Sequence, residues 1–415
     1  MAPVFLFIFY FFVLLFFLYK IVQRNGIGLG WRETAAFFSV KIMAGCLYGY
    51  IFLHTYHGDD TWNFFNDSLP EYQKMIHQPG IFFRDFLPWP AFGAAENFWQ
   101  GMARYFTDLE YWLTVKLLAL FNIFSRGNYY IDVLFFNFLV SLGPLLLFRL
   151  MLSIFPARKR LLIIVIFFIP SITFWLSGIR AEGLLLLFIA LILFYTDRWF
   201  NQRRVLYFFW IMLGMIGFLL FRSQALFIFL PAYCCWTLSR KAGPRAIYYF
   251  VFAYAGGLLI LLASLLISPG KNLASPIANR QAAFFRLHGN TRFGLDTLKP
   301  TFSSMVRILP QAFNNTFLRP YPWEARGWLQ WLSALEVIAL WALVLFFLLS
   351  PFQNRKWVVG HPLMLCFLFY GISQILLIGF IVPFPGAIVR YKAIPELFIV
   401  TALTLGIKPG FFKLQ

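Results

Sequence analysis

The chain has 415 residues, of which 61% are hydrophobic, 21% aromatic and only 12% charged, with a mean hydropathy of +0.73. A soluble domain needs far more polar surface than this, so water-soluble classes are excluded. The formal net charge is +19, but no nucleic-acid-binding motif accompanies it. The excess reads as the bias of Lys and Arg toward cytoplasmic loops, and no nucleic-acid partner is expected.

Apolar runs of about 17–25 residues, each long enough for ~30 Å of hydrocarbon, recur from end to end. They predict an all-α fold: a polytopic transmembrane helical bundle forming a single domain over 1–415. The first run, about Val4 to Leu18, has no basic residue before it, and Lys20, Arg24 and Arg32 follow it. A cleaved leader has the opposite polarity, so this run is expected to stay as the first span, with its N-terminus outside. Further runs lie near 34–53, 129–152, 161–178, 183–196, 205–221, 224–238, 246–268, 329–349, 361–382 and 393–407. That makes about eleven spans, with the pair around 161–196 open to being a broken hairpin. Basic clusters at Arg158–Arg160, Arg198/Arg203/Arg204, Arg240/Lys241/Arg245, Arg355/Lys356 and Lys408/Lys413 then all fall on the cytoplasmic side. Two long segments, 54–128 and 269–328, lie on the outer face. Short outer turns fall at Ser177–Glu182, Phe221–Gln224 and Pro383–Lys392. The four cysteines, Cys46, Cys234, Cys235 and Cys366, sit inside apolar runs without metal-site spacing and read as packing residues.

The first outer segment opens with HTYHGDDTWNFFND, residues 54–67. Asp59, Asn63 and Asn66 form one stripe, and Trp62, Phe65 and Leu69 another. This predicts a short helix lying on the membrane surface. Ser68-Leu69-Pro70-Glu71 matches a capping box with Pro in the first turn, and predicts a second helix starting there. Trp89, Trp99 and Trp112 suit the headgroup zone. The apolar stretch 112–125 is short for a span and is placed at the surface or re-entrant.

Asp59 and Asp60 admit two readings. Asp60 caps the surface helix while Asp59 favours its positive end, or one of the two is a general base. Adjacent carboxylates near lipid do not both ionise freely, and one can accept a proton from an attacking hydroxyl. His54 and His57 stand nearby as interfacial polar groups. Two Asp and a His are a thin ligand set for a divalent cation, the one cofactor left open.

The outer segment 269–328 carries Lys271, Arg280, Arg286, Arg292, Lys299, Arg307, Arg319 and Arg326 against Asp296 and Glu324, and the outer turns add Arg180, Arg222, Arg390 and Lys392. Long segments cross despite such charge. Arg forks bind phosphate oxygens, so the set points to a phosphate or pyrophosphate at the outer surface. The plainer alternative is headgroup anchoring or ion pairing, such as Arg180 with Glu182. In PFPGAIVRYK, Pro and Gly are expected to break the helix and let backbone line a pocket around Arg390 and Lys392. RPYPWE (319–324) reads as a rigid turn or as a platform whose aromatic faces take a sugar ring. Trp62, Tyr321, Trp323 and Tyr391 are the candidate platform residues.

The set resembles the GT-C superfamily of membrane glycosyltransferases. The matching parts are GDD at 58–60 with the amphipathic helix after it, SGIRAEG at 177–183 and GAIVRYK at 386–392. The resemblance implies a sugar donor carried on polyprenyl phosphate or pyrophosphate and a glycan or protein acceptor. It implies Asp59 or Asp60 as base and Arg390 as a donor-phosphate ligand. It implies an inner (plasma) membrane location in a bacterium, with the active face outward among membrane lipids. In one respect the chain departs: the acidic loop of that superfamily usually follows the first span, and here it follows the second. A transporter or flippase of lipid-linked glycans would need the same phosphate-binding Arg, but with polar groups deep in the bundle. A glycan polymerase is a close neighbour of the transferase reading.

Overall fold

The computed structural model describes residues 2–56, 58–84, 98–268, 271–287, 289, 291–351, 356 and 358–407. Every regular element among them is helical. The chain divides into two compact units, 1–226 and 227–415.

The first unit contains α1 (Ala2–Arg24), α2 (Trp31–His54), α3 (Asp60–His77), α4 (Pro79–Arg84), α5 (Phe98–Ser125), α6 (Tyr129–Ile154), α7 (Lys159–Phe167), α8 (Pro170–Trp175), α9 (Ala181–Gln202) and the first part of α10 (Val205–Ser239). Its core is α6 packed on α9, with α1 and α2 against α6. The second unit contains the rest of α10, α11 (Ala246–Ser264), α12 (Ser275–Phe285), α13 (Phe302–Phe313), α14 (Trp328–Leu349), α15 (Pro362–Ile381) and α16 (Pro385–Leu405), centred on α15 against α16.

Among the described residues, eight helices are long and apolar enough to cross a bilayer: α1, α2, α6, α9, α10, α11, α14 and α15. The chain is a membrane protein. Eight helices rather than eleven meet that description, and the difference falls at three places. The runs 205–221 and 224–238 join into α10, interrupted only by the non-helical Arg222 (φ −158°, ψ 69°). Its 35 residues would measure ~52 Å if straight, far more than one crossing needs. The run 393–407 belongs to α16, which starts at Pro385 and carries Arg390, Lys392 and Glu396. The run 161–178 is split into α7 and α8.

That split segment is nevertheless registered along the whole of α2. Lys159 at its start pairs with Glu33 in the first turn of α2, at 2.9 Å. At mid-length, Lys41 of α2 donates to the Leu176 carbonyl (2.8 Å) and to Ser177 Oγ (3.3 Å). At the end, Arg180 bonds Asp59, just past the C-terminus of α2. The Ser177 carbonyl lies against Gly45, which by helix rise is ~14 Å below His54, so non-helical backbone runs well into the bundle. Such backbone survives only where protein satisfies it. Lys41 serves Leu176, Asn137 donates to the Ser177 carbonyl (2.8 Å), and Ser177 Oγ donates to the Thr173 carbonyl (2.6 Å). Residues 176–180 are all buried. The turn predicted at Ser177–Glu182 is therefore an embedded loop.

Two other local expectations change. Ser68 does not cap a new helix. α3 runs unbroken through Pro70 to His77, and Ser68 Oγ donates to the Phe65 carbonyl while accepting from Asn122 of α5. Packing on α5 carries the helix past the missing proline N–H. In PFPGAIVRYK the break is confined to Val382–Phe384, because Pro385 takes the first turn of α16, where its missing N–H costs nothing. Arg390 and Lys392 are thus helical residues.

The helices of 54–128 form a small module on which α3 packs against α5. Phe65 is buried, Trp62 and Leu69 are half-buried, and Asn63 and Asn66 are exposed, as the two stripes predict. Under α3, Lys116 is buried and donates to Glu71 (2.6 Å) and to the Phe82 carbonyl (3.1 Å), above the Phe82 ring. Burial pushes the Glu71 carboxyl up, but hydrogen bonds and charge from Lys116 and Lys74 outweigh it and hold the group below the usual range. A carboxyl depressed by folding stabilises the fold above its unfolded value of ~4.3, and this is lost as pH falls through the lower folded value. Thermal stability is therefore expected to be level from pH 7 to ~5 and to decline below ~4. Lys116→Met should cost ~2–4 kcal/mol at pH 7 and weaken that acid response, read by melting in detergent across pH.

Candidate active site

Gly58 (φ 101°) turns the chain off the end of α2. Its N–H bonds back to the Phe52 carbonyl at 2.9 Å, closing a turn over the end of the helix. Asp59 follows at the N-cap of α3 and Asp60 is its first helical residue. The capping role predicted for Asp60 is not taken: the N-cap position belongs to Asp59, whose side chain makes no cap hydrogen bond. Both carboxylates turn instead to Arg180. One guanidinium nitrogen, Nη1, donates to Asp59 Oδ2 and to Tyr48 Oη (3.1 Å), and Nη2 donates to Asp60 Oδ2. The Arg180 side chain is 5% exposed, Asp59 26% and Asp60 55%.

Two of the three segments that carry the resemblance, GDD and SGIRAEG, are thus brought together in the first unit. Gly178 makes this possible, since a Cβ there would lie 2.8 Å from the Tyr48 ring. Arg180 does not pair directly with Glu182, which instead accepts from Arg222 at 3.3 Å. Glu110 of α5 lies 3.9 Å from the same Arg222. Beside them Tyr111 donates to Asp67. Burial and the Asp67 carboxylate, with Asp60 adding to them, push the Tyr111 hydroxyl up and keep it a donor. Four carboxylates, Asp59, Asp60, Glu110 and Glu182, therefore face two guanidinium groups, Arg180 and Arg222. An incoming phosphate would have to displace carboxylates from both.

Trp62 is engaged in packing. It stacks on Tyr129 (4.0 Å, 16°) and donates to the Gly49 carbonyl at 2.9 Å. His54 ends α2 and is exposed. His57 and Trp89 lie outside the described residues, as does the side chain of Trp99, while Trp112 is half-buried. Among the described residues, no group of three or more His, Cys, Asp or Glu side chains gathers as a metal site, and the four cysteines are free thiols.

The second unit has its own basic face. Arg280 lies 5.6 Å from the Phe284 ring centre, and Phe284 meets Tyr391 edge-on at 6.3 Å. Arg390 lies 4.6 Å from the Tyr391 ring centre and donates to its hydroxyl (2.8 Å). Arg292 covers Phe384 (5.0 Å) and Arg319 covers Phe293 (4.7 Å). All four rings pack on one apolar cluster around Ile308, Ala312 and Phe380. Arg319 is held by Glu324 (2.7 Å) and Asn315 (3.2 Å), and Arg292 by the Phe285 and Leu287 carbonyls. Arg280 and Arg286 are exposed. Lys392 is buried 3.4 Å from Glu396. Tyr321 and Trp323 stack at 4.7 Å and 9°, with Tyr321 bonded to Asn314 and Trp323 78% exposed.

Sequence reasoning missed Lys41, Tyr48, Glu110 and Tyr111. For the first two a signal existed. Lys41, Gly45, Tyr48 and Gly49 recur at helical spacing, a small and polar face inside an apolar run. No known protein family, curated protein or solved structure matches this chain.

Proposed function

We propose that the chain is a membrane glycosyltransferase of the GT-C type. It moves a sugar from polyprenyl phosphate or pyrophosphate to a hydroxyl of a glycan or protein acceptor, at the outward face of a bacterial inner membrane. The observation that carries this reading is the pair of carboxylates at the start of a surface helix, clamped by the buried Arg180 at the end of a span. Asp60 is the base in this reading, since it is the more exposed of the two. Its carboxylate accepts the acceptor's hydroxyl proton as that oxygen bonds the sugar's anomeric carbon. The sugar–phosphate bond breaks, and its electron pair leaves on the polyprenyl (pyro)phosphate. Asp59 and Arg180 position the base. Within the first unit the phosphate is assigned to Arg222, the more exposed of the two clamped guanidinium groups, which would exchange Glu182 and Glu110 for phosphate oxygens.

The test is turnover of polyprenyl-phosphate sugars by the purified protein with a crude glycan acceptor. Asp60→Asn is expected to lower it ~10²–10⁴-fold, and Arg222→Ala to weaken donor binding. Turnover that survives both Asp60→Asn and Asp59→Asn would sink the mechanism. The flippase reading draws on Lys41, Asp132 and the Lys392–Glu396 pair, which are buried within helices. Donor binding without turnover by any donor would favour it.

A further inference from the structure

Helix α13 lies in a segment that reads as an aqueous loop, yet it carries a continuous apolar stripe. Phe302, Val306, Leu309 and Phe313 are 58%, 51%, 43% and 40% exposed. Their spacing of four, three and four residues puts them on one face. The next face around the helix, Ile308 and Ala312, is buried in the core shared with α15. The opposite side carries Ser303 and Arg307, both exposed, with Arg307 3.4 Å from Asp296. The helix therefore has a protein face, an unpartnered apolar face and a water-seeking face.

Its depth is set by contacts to α15. A Cβ on Gly379 would lie 2.3 Å from the Ala312 carbonyl oxygen, so the two backbones touch. Gly379 is two residues before the end of α15 at Ile381, and α15 is long and apolar enough to span. Gln281 of α12 also donates to the Phe380 carbonyl at 2.9 Å. The stripe thus sits level with the last turn of a span, at the boundary between acyl chains and headgroups. Around it, residues 271–328 carry eight cationic side chains against two carboxylates. Trp323 and Trp328 are exposed in the same segment, and Trp331 in the first turn of α14. Exposed Trp with an excess of Lys and Arg matches an anionic headgroup layer.

We propose that α13 is an interfacial helix, whose apolar stripe inserts between the acyl chains of the leaflet at which α15 ends. Lys299 and Arg307 then meet anionic phosphodiester headgroups, their stems lying along the apolar boundary. This inference is independent of the transferase reading.

The test places an environment-sensitive nitrobenzoxadiazole label on the full chain in vesicles. The four native cysteines are replaced by Ala, and Val306→Cys, Leu309→Cys and Ser303→Cys are labelled one at a time. The vesicles are phosphatidylcholine with or without phosphatidylglycerol, doped with lipid spin-labelled near the headgroup end of its chain. Labels at 306 and 309 are expected to be blue-shifted and quenched by the spin-labelled lipid at least ~2-fold more than at 303, consistent with a depth of ~5–10 Å. Added phosphatidylglycerol should strengthen that quenching, and high salt should reverse the gain. Water-like emission at both 306 and 309, with quenching by iodide, would overturn the proposal. So would apolar emission without lipid quenching, which would mean that a protein, a second copy included, covers the stripe. Lipid quenching indifferent to phosphatidylglycerol would remove the headgroup half of the proposal.

Discussion

Arg180→Lys is expected to lower turnover at least ~10-fold while leaving a folded protein, and Arg180→Met to lose both activity and stability. The guanidinium is a fork with one prong on Asp59 and Tyr48 and the other on Asp60. An ammonium is a single point of charge and cannot hold two carboxylates in a fixed relative geometry. Methionine fills similar volume but leaves two adjacent carboxylates without their cation. Removing one partner of a buried pair costs ~3–5 kcal/mol. Asp59 and Asp60 are 26% and 55% exposed, so the expected loss is nearer ~2–3 kcal/mol. Melting in detergent measures the stability term, and release of sugar from the lipid donor measures the other. An Arg180→Met protein that melts like the wild type and turns over normally would show that the clamp has no role.

Gly45→Ala is expected to destabilise by ~1–3 kcal/mol and to reduce turnover, although it adds one methyl group to a helix that would otherwise favour it. The new carbon would lie 2.7 Å from both Asn137 Nδ2 and the Ser177 carbonyl oxygen, and 2.8 Å from Val133. Asn137 and Ser177 bond each other, so neither yields without freeing a polar group at depth. The embedded loop must then shift, carrying Arg180 with it. Gly256→Ala, in α11 where a Cβ meets nothing within 4 Å, is the matched control and should be neutral or stabilising by up to ~1 kcal/mol. Equal melting temperatures for the two variants would contradict the close packing around residue 45.

Helix positions were legible wherever an apolar run stood alone between charges, and so was the amphipathic start of α3. The meeting of Asp59 and Asp60 with Arg180 was not. The residues lie about 120 positions apart, and their contact depends on Lys41 and Asn137 supporting a loop that hydropathy reads as a plain span. Ser68 shows the opposite failure: its local pattern satisfied the rule for a helix start, but Asn122 reached it from another helix and packing kept α3 continuous. Proline misled in a third way. Pro385 opens α16 instead of interrupting it, so Arg390 and Lys392 are helical and Lys392 turns inward to Glu396. The pairing of Arg222 with Glu182 was likewise invisible, since no local pattern joins them.

The broken segment from Lys159 to Arg180 also bears on how the chain enters the membrane. Neither α7, with nine residues, nor α8, with six, can cross hydrocarbon alone. The groups that satisfy the embedded loop, Lys41 and Asn137, come earlier in the chain and have left the ribosome before it emerges. Until then Lys41 is a charged residue in a lone helix, at an insertion cost of ~2.5–3.5 kcal/mol. Biogenesis of the first unit should therefore stall with α2 loosely held, and lock when residues 159–180 arrive. Ribosome-bound chains ending before residue 159 should leave α2 open to extraction, and chains extended beyond α9 should not.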